Sequence, residues 1–253
     1  MFQAQHLTKS FGDLVLFEDL SFSIERGEKV GLIARNGNGK TTLMNILTGI
    51  DSPDSGEVIY QNGIRRAYLP QLPQVLPGST VLETCFGHND EMTSLIARWE
   101  EASARGDGKR MEELLPEMDA LGAWEYEQRA REILTRLHLD DLHRTTDNLS
   151  GGELKRIALA GTLIGNPELL FLDEPTNHLD LDVIEWLEGY LSHQQIGLLL
   201  VTHDRYFLDR ICNRILELDN KQLYAYKGNY EYYLNKREER LGAPGPRHSR
   251  ARA

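Results

Sequence analysis

A glycine-rich turn between an apolar run and a helical pattern constrains the fold of this chain more than any other feature. Residues 29–33 (KVGLI) are apolar and few enough for a buried β-strand, and residues 42–47 have the pattern of a helix start. Gly37 and Gly39 mark the turn between them. A strand, a glycine loop and a helix in this order form a βα unit, which predicts an α/β fold with a mostly parallel sheet.

The same turn matches a phosphate-binding loop with one departure. The pattern is G-x-x-x-x-G-K-[ST], and Ala34 stands where its first glycine belongs. A methyl group there is tolerable where φ is negative and costly where it is not. Loop N–H groups and the N-terminus of the helix would hold phosphate oxygens, Lys40 would reach the β and γ phosphates, and the Thr41 hydroxyl would bind Mg²⁺. An ordinary glycine-rich turn is the alternative, which the flanking strand and helix disfavour. The candidate nucleotide-binding residues are Ala34, Arg35, Asn36, Gly37, Asn38, Gly39, Lys40, Thr41 and Thr42.

Two carboxylates follow a second apolar run. Residues 169–172 predict a buried strand, which Asp173 and Glu174 follow directly. Asp173 suits a Mg²⁺ ligand, and Glu174 suits a base that activates water. Solvated acids at a strand end are the alternative, but a phosphate loop upstream in the same chain favours the functional interpretation.

Two further motifs are weaker on their own. Ser150 in LSGGE suits a helix N-cap, and Gly151 and Gly152 would expose backbone N–H groups to an anion. His203 follows the apolar run 196–201, and sites in α/β proteins form at the carboxyl ends of strands. A purely structural histidine is the alternative.

The remaining patterns outline the chain. Strand patterns occupy residues 2–7, 14–17 and 21–25, and helical patterns occupy 125–137, 153–163 and 183–191. Residues 90–119 predict a helical hairpin whose second helix Pro116 would cut short, and Thr80 with Glu83 predicts a helix N-cap. Residues 241–253 contain GAPGP and predict a disordered tail, either the remnant of a linker or a foreign extension.

Composition excludes several classes of protein. The chain has 28 Lys and Arg against 39 Asp and Glu, and its net charge of −11 argues against a wholly basic nucleic-acid-binding domain. Cys85 and Cys212 are too few for a disulfide framework or a four-ligand zinc site, so we expect buried, reduced thiols. The apolar runs are too short to cross a bilayer, and the first residues lack the apolar segment of a signal peptide. We expect a cytoplasmic protein.

With these motifs in this order, residues 1–240 resemble the ATP-binding cassette family. The most specific pieces are LSGG at 149–152, LDEPTNHLD at 172–180, and His203 after a strand. The resemblance implies an α/β fold of the cassette type, a P-loop NTPase core with an N-terminal antiparallel β subdomain and an inserted helical subdomain at 72–148. The hairpin at 90–119 would occupy the place of the family's arm.

The resemblance also implies roles for residues across the chain. Phe11 would stack on adenine, Gln71 would contact Mg²⁺ and the attacking water, and His203 would hold the γ-phosphate. With Glu174, Gln71 and His203 form the expected catalytic set, and Thr41, Gln71 and Asp173 the expected metal set. Ser150, Gly151 and Gly152 would hold the ATP of an opposite cassette, and Asp180 would lie on the loop that links the two cassettes.

Within the family the chain resembles the ABC-F class, which lacks membrane domains and acts on ribosomes. Residues 176–178 (TNH) are typical of that class, and residues 226–240 look like the start of the charged linker between its two cassettes. Residues 184–188 (IEWLE) are similar to the Uup-like branch. In this class the arm contacts ribosomal RNA or a ribosomal protein beside the exit site. The chain then looks like the N-terminal cassette of a two-cassette protein, and the missing half or a second copy would be its partner.

Two alternatives to a ribosome-acting ATPase remain at this point. One is the nucleotide-binding subunit of a membrane transporter, against which TNH and the linker speak. The other is a DNA-transaction ATPase, because Uup-like proteins are linked to both nucleic acids. ATP and Mg²⁺ are the expected cofactors in every case.

Overall fold

The computed structural model describes residues 1–35, 37–86 and 91–242. Asn36, residue 90 of the expected hairpin and the tail from residue 243 lie outside the described residues. The strands are β1 (Phe2–Phe11), β2 (Leu14–Ile24), β3 (Lys29–Ala34), β4 (Ser55–Tyr60), β5 (Arg66–Leu69), β6 (Leu169–Asp173), β7 (Gly197–Val201), β8 (Arg214–Asp219) and β9 (Gln222–Lys227). The helices are α1 (Lys40–Thr48), α2 (Val81–Phe86), α3 (Glu91–Ala104), α4 (Gly108–Ala120), α5 (Trp124–Arg136), α6 (Gly151–Ile164), α7 (Leu181–His193), α8 (Arg205–Ile211) and α9 (Tyr230–Gly242).

Two sheets organise these elements. The larger sheet has the order β5-β6-β7-β3-β8-β9, and its neighbours are parallel except for the antiparallel β8–β9 pair. The smaller sheet, β2-β1-β4, is antiparallel throughout. The predicted α/β fold with an N-terminal antiparallel sheet is confirmed.

The central strands are apolar because both faces of the large sheet are covered. Leu198 and Leu200 of β7 pack into one hydrophobic core, whereas Leu199 and Val201 pack into the other. Successive side chains of a β-strand point to opposite faces of the sheet. A strand that is buried on both faces therefore needs an unbroken apolar sequence. This is why residues 169–172 and 196–201 predict their strands correctly.

The N-terminal sheet differs from its sequence prediction. Residues 14–17 and 21–25 were expected to form two strands, but a single strand, β2, runs from Leu14 to Ile24. Its register against β1 shifts between Ala4 and Leu7 and again around Lys9. Such irregularities break the two-residue period of burial, so one strand has the sequence appearance of two.

The helices α2 to α5 lie between β5 and β6 in the chain. The N-cap predicted at Thr80 is present, since the Thr80 N–H donates to Glu83 Oε2 at 2.7 Å and the Glu83 N–H to Thr80 Oγ1 at 3.2 Å. The prediction that Pro116 cuts its helix short is wrong, because α4 continues to Ala120. Pro116 and Glu112, whose carbonyl loses its usual partner, are both exposed, so water can replace the missing hydrogen bond.

The last described helix, α9, is fixed to the β8–β9 pair around one buried carboxylate. Glu217 accepts hydrogen bonds from the hydroxyls of Tyr226 and Tyr233, both at 3.1 Å, and from Arg240 Nη2 at 2.8 Å. Arg237 Nε lies 2.6 Å from Glu217 Oε1. These contacts join α9 to β8, and the Tyr233 ring also packs on the Tyr226 ring of β9 with 5.1 Å between centroids, so the helix is held to both strands.

Candidate functional site

The predicted phosphate-binding loop begins at the end of β3. Ala34 pairs with Leu218 in extended backbone, so its methyl group is tolerated where the pattern has glycine. Gly37 and Gly39 have φ of 83° and 86°, in the left-handed region that favours glycine. A Cβ on Gly39 would also lie 3.1 Å from Leu16 Cδ1. Both the backbone conformation and the available space therefore require glycine at 39.

Lys40 opens α1 and turns back over the loop. Its Nζ donates to the carbonyl of Ala34 at 2.7 Å. Burial lowers the pKa of Lys40, and the nearby carboxylates of Glu174 and Asp173 oppose this shift. The ammonium therefore lies between the loop and the carboxylates of Asp173, which ends β6, and Glu174, which follows it.

The two carboxylates are almost fully buried, with 3% of Asp173 and 4% of Glu174 exposed. Burial, followed by the neighbouring Glu174, raises the pKa of Asp173 to about 6. Asp173 Oδ2 is buried and accepts no hydrogen bond from the residues that the structure describes. A buried carboxylate oxygen without a donor is a suitable ligand for a hard cation such as Mg²⁺.

Glu174 is held by hydrogen bonds to residues at and just after the end of β7. Its Oε2 accepts from the Thr202 hydroxyl at 3.2 Å and from the His203 N–H at 3.3 Å, and its own N–H donates to Val201. His203 Nε2 lies 3.5 Å from Glu174 Oε1. Glu174 has a φ of 48°, an uncommon conformation for a non-glycine residue that is often found at functional sites.

A cavity of about 350 Å³ gathers most of the predicted site residues. We call it the phosphate-loop cavity. Its lining comprises Phe11, Leu16, Gly37, Gly39, Lys40, Thr41, Thr42, Gln71, Asp173, Glu174, Val201 and His203. Leu16 and Val201 were not predicted, because each belongs to a strand pattern that indicates only core packing. Ala34, Arg35 and Asn38 belong to the loop but do not line the cavity.

The segment Ser150–Gly152 lies elsewhere. Ser150 caps α6: its hydroxyl accepts from the Glu153 N–H, and its own N–H donates to the Glu153 carboxylate. The described lining of the phosphate-loop cavity does not include Ser150, Gly151 or Gly152. The chain therefore does not bring its own LSGG segment to its own loop.

The donor set suits magnesium better than a transition metal. No group of three or more His, Cys, Asp and Glu side chains in the described residues could hold a metal ion. The expected set of Thr41, Gln71 and Asp173 supplies a hydroxyl, an amide and a carboxylate, and Mg²⁺ takes few protein ligands because it also binds phosphates and water.

Sequence reasoning missed one buried charged residue beside the site. Lys155 of α6 is 2% exposed, and its Nζ donates to three carbonyls, those of Pro70, Gln71 and Asp173, at 3.0, 3.2 and 3.0 Å. Burial lowers its pKa to about 8, and the carboxylates of Asp173 and Glu174 oppose this. Sequence periodicity places Lys155 on a helix but carries no signal for the carbonyls that converge on it.

Comparison with known proteins gives a family match. The family model described as "ABC transporter" matches residues 17–177. The "Uncharacterized ABC transporter ATP-binding protein YfmR" of Bacillus subtilis is 43% identical over 246 residues, which are 94% of this chain and 39% of that protein. The "Energy-dependent translational throttle protein EttA" of Mycobacterium tuberculosis is 34% identical over 97% of this chain and 45% of that protein. The "ATP-binding protein Uup" of Escherichia coli is 36% identical over 92% and 38%.

A solved structure described as "Structure of ATP binding subunit of ABC transporter" shares the fold. It superposes with a TM-score of 0.73 at 23% identity and covers 97% of this chain and 95% of its own. The chain spans less than half the length of the three curated relatives named above. No helix in the described part of the chain is long and apolar enough to cross a membrane.

Proposed function

We propose that this chain, which belongs to the F class of the ATP-binding cassette family, hydrolyses Mg-ATP in the phosphate-loop cavity. In this proposal it closes as one of a pair on the translating ribosome. Cassettes of this family are ATPases, bind ATP and act in pairs. The observation that carries the proposal is the cavity itself, which places Lys40, Asp173, Glu174 and His203 around one space.

The loop and Phe11 bind the nucleotide in this proposal. Backbone N–H groups near Gly37 and Gly39 face phosphate oxygens at the N-terminus of α1, where the helix dipole favours negative charge. The Lys40 ammonium adds a charge-assisted hydrogen bond to the outer phosphates. Phe11 is 56% exposed at the rim of the cavity, which leaves a ring face for adenine.

Glu174 is the proposed base. Its Oε2 is occupied by Thr202 and His203, which leaves Oε1 to accept a proton from the attacking water. Gln71 lines the same cavity and would orient that water. The His203 ring, 3.5 Å from Oε1, is 69% exposed and can turn toward the γ-phosphate while its backbone N–H keeps Glu174 in place.

Asp173, Thr41 and Gln71 would hold Mg²⁺. The unpaired Asp173 Oδ2 supports this role, because a buried oxygen without a donor gains most from a cation. When bound, Mg²⁺ neutralises phosphate charge during transfer.

The ribosome is supported as partner by the relative named as a translational throttle protein, and an action there would place the protein in the cytoplasm. Nothing in the comparisons supports DNA. The names of the relatives include a translational throttle protein and ABC transporter proteins. The TNH segment at 176–178 and the linker-like residues 226–240 are what speak against the transporter alternative.

Co-sedimentation tests this choice of partner. We expect Glu174→Gln with ATP to sediment with purified ribosomes, and ADP to release it, since only the ATP-bound pair is closed. The same protein with branched DNA or lipid vesicles serves as the comparison. Equal binding with ATP and ADP, or stronger retention on DNA or vesicles, would contradict a ribosomal role.

A further inference from the structure

Lys155 lies where α6 meets the ends of two neighbouring strands. Pro70 and Gln71 directly follow β5, Asp173 ends β6, and Leu69 pairs with Leu172 in the parallel ladder. The three hydrogen bonds of Lys155 Nζ therefore join α6 to the segment that carries Gln71 and to the segment that carries Asp173.

The Lys155 side chain is suited to joining α6 to these two strand ends. An ammonium has three donors, and each of them meets one carbonyl here. A buried charge is costly and contributes weakly to stability, so an apolar residue would serve packing better. An apolar replacement would, however, leave the carbonyls without this donor and would remove the hydrogen bonds that join α6 to both strand ends.

The start of α6 also contacts the segment before α7. Arg156 Nη1 donates to Asp180 Oδ2 at 3.3 Å. A Cβ on Gly152 would lie 3.0 Å from the carbonyl oxygen of His178, so only glycine fits there without a shift. The first turns of α6 thus lie between the phosphate-loop cavity on one side and residues 178–180 on the other.

We propose that Lys155 is a positioning residue that couples nucleotide in the phosphate-loop cavity to the Ser150–Gly152 segment. The inference rests on the proposed function, since nucleotide must contact Gln71 and Asp173 for their backbone to move. A shift of either strand end then moves the Lys155 ammonium and, with it, the N-terminal turn of α6. The surface that this chain offers to a partner cassette thereby depends on what its own cavity holds.

Lys29 provides a matched control. It is also a buried lysine, 7% exposed, and its Nζ donates to the carbonyl of Gln194 at 3.2 Å. It does not line the phosphate-loop cavity. Lys29→Met and Lys155→Met therefore make the same chemical change, but only the second breaks the connection of α6 to the cavity.

Amide hydrogen exchange with a non-hydrolysable ATP analogue and Mg²⁺ tests the coupling. The protein is kept at a concentration where sedimentation shows a monomer, so that a partner cannot protect any segment. In the parent and in Lys29→Met, we expect nucleotide to slow exchange in peptides covering 37–44 and to change it in peptides covering 149–157. In Lys155→Met, the effect at 37–44 should remain and the effect at 149–157 should disappear.

Turnover gives the second measurement. We expect Lys155→Met to lower kcat at least 10-fold with a change in ATP affinity below about 3-fold, and Lys155→Gln to recover part of the loss, because its amide can still donate two hydrogen bonds. A Lys155→Met protein that responds to nucleotide at 149–157 as the parent does, or that loses no more kcat than Lys29→Met, would overturn the inference. So would a parent in which 149–157 does not respond. Absence of any protection at 37–44 in the parent would instead contradict the proposed function itself.

Discussion

Glu174 has an unusual backbone conformation, and its Oε2 already accepts two hydrogen bonds. Substitution of this residue is the sharpest test of the site. We expect Glu174→Gln to keep ATP binding and to cut turnover roughly 100-fold or more, because an amide cannot accept the proton of water. Asp173→Asn should instead weaken Mg²⁺-dependent binding. Glu168→Gln, which changes a carboxylate just before β6, is the control and should turn over as the parent does. If Glu174→Gln and Asp173→Asn both hydrolyse ATP at the parent rate, these carboxylates are structural.

Lys40 gives a prediction about binding rather than chemistry. Charge-assisted hydrogen bonds contribute about 1.5–3 kcal/mol, so Lys40→Ala should weaken ATP binding about 10- to 100-fold. Calorimetry of ATP binding measures this, and Lys109→Ala, which removes an exposed lysine of α4, should leave the affinity unchanged. An unchanged affinity for Lys40→Ala would contradict the phosphate-loop assignment.

The sequence could nominate the single residues of this site because its motifs are contiguous. Lys40 follows the glycines of the loop, and Asp173 and Glu174 follow an apolar run. The structure gathers them with Phe11 and Gln71 in one cavity, and their chemical roles stay predictions. Lys155 could not be found this way, because its three acceptors come from two strand ends distant in sequence.

At the scale of elements, the α3–α5 contact carries a pH dependence. Arg131 Nη2 donates to Glu100 Oε1 at 3.2 Å, and Glu127 lies beside them. Burial raises the pKa of Glu100 to about 7, with Glu127 adding to the shift and Arg131 opposing it. The folded state therefore holds the proton more tightly than the unfolded state, and stability present below pH 4.5 is lost as the pH rises to about 7.

Glu100→Gln removes this loss. We expect the variant to match the parent near pH 4.5 and to exceed its free energy of unfolding at pH 8 by on the order of 2 kcal/mol. Urea unfolding at both pH values measures the difference. Glu101→Gln, which changes a more exposed neighbour paired with Arg105, should show no such pH-dependent gain. Equal destabilisation by Glu100→Gln at both pH values would show that the ion pair with Arg131 dominates.

Strands were predictable where they form a continuous apolar run and were missed where they do not. The runs that form β3, β6 and β7 are apolar because both sheet faces are covered. In contrast, β5 has only four residues, and β9, which lies at the sheet edge, has exposed residues among its buried ones. Strands β4, β5, β8 and β9 were not predicted. Short or edge strands have no apolar run to mark them, and the apolar residues of the buried strand β8 are interrupted by Glu217.

For the whole molecule, the separation of Ser150–Gly152 from the phosphate-loop cavity predicts a composite site. Two identical chains can pair head to tail with two-fold symmetry and form two equivalent sites. We expect a monomer without nucleotide or with ADP, and weak dimerisation with ATP that is strongest for Glu174→Gln. Turnover per chain should then rise with protein concentration, because dimers form by mass action.

A dilution series at saturating Mg-ATP, with sedimentation run in parallel, measures this dependence. Glu168→Gln serves again as a control that should follow the parent curve. A constant turnover per chain from a strictly monomeric species would show that one chain hydrolyses ATP alone. The composite site would then have to be abandoned.

The contacts between α9 and Glu217 determine the position and direction in which a segment attached after Gly242 leaves the cassette. Because Tyr233, Arg237 and Arg240 fix the helix to β8 and β9, the attachment point has a set position and a set direction. A flexible tether would let a following segment search a sphere whose size depends on tether length. A fixed exit sets the point from which that search starts. The effective concentration of an attached partner then depends on where α9 ends as well as on the number of residues that follow it.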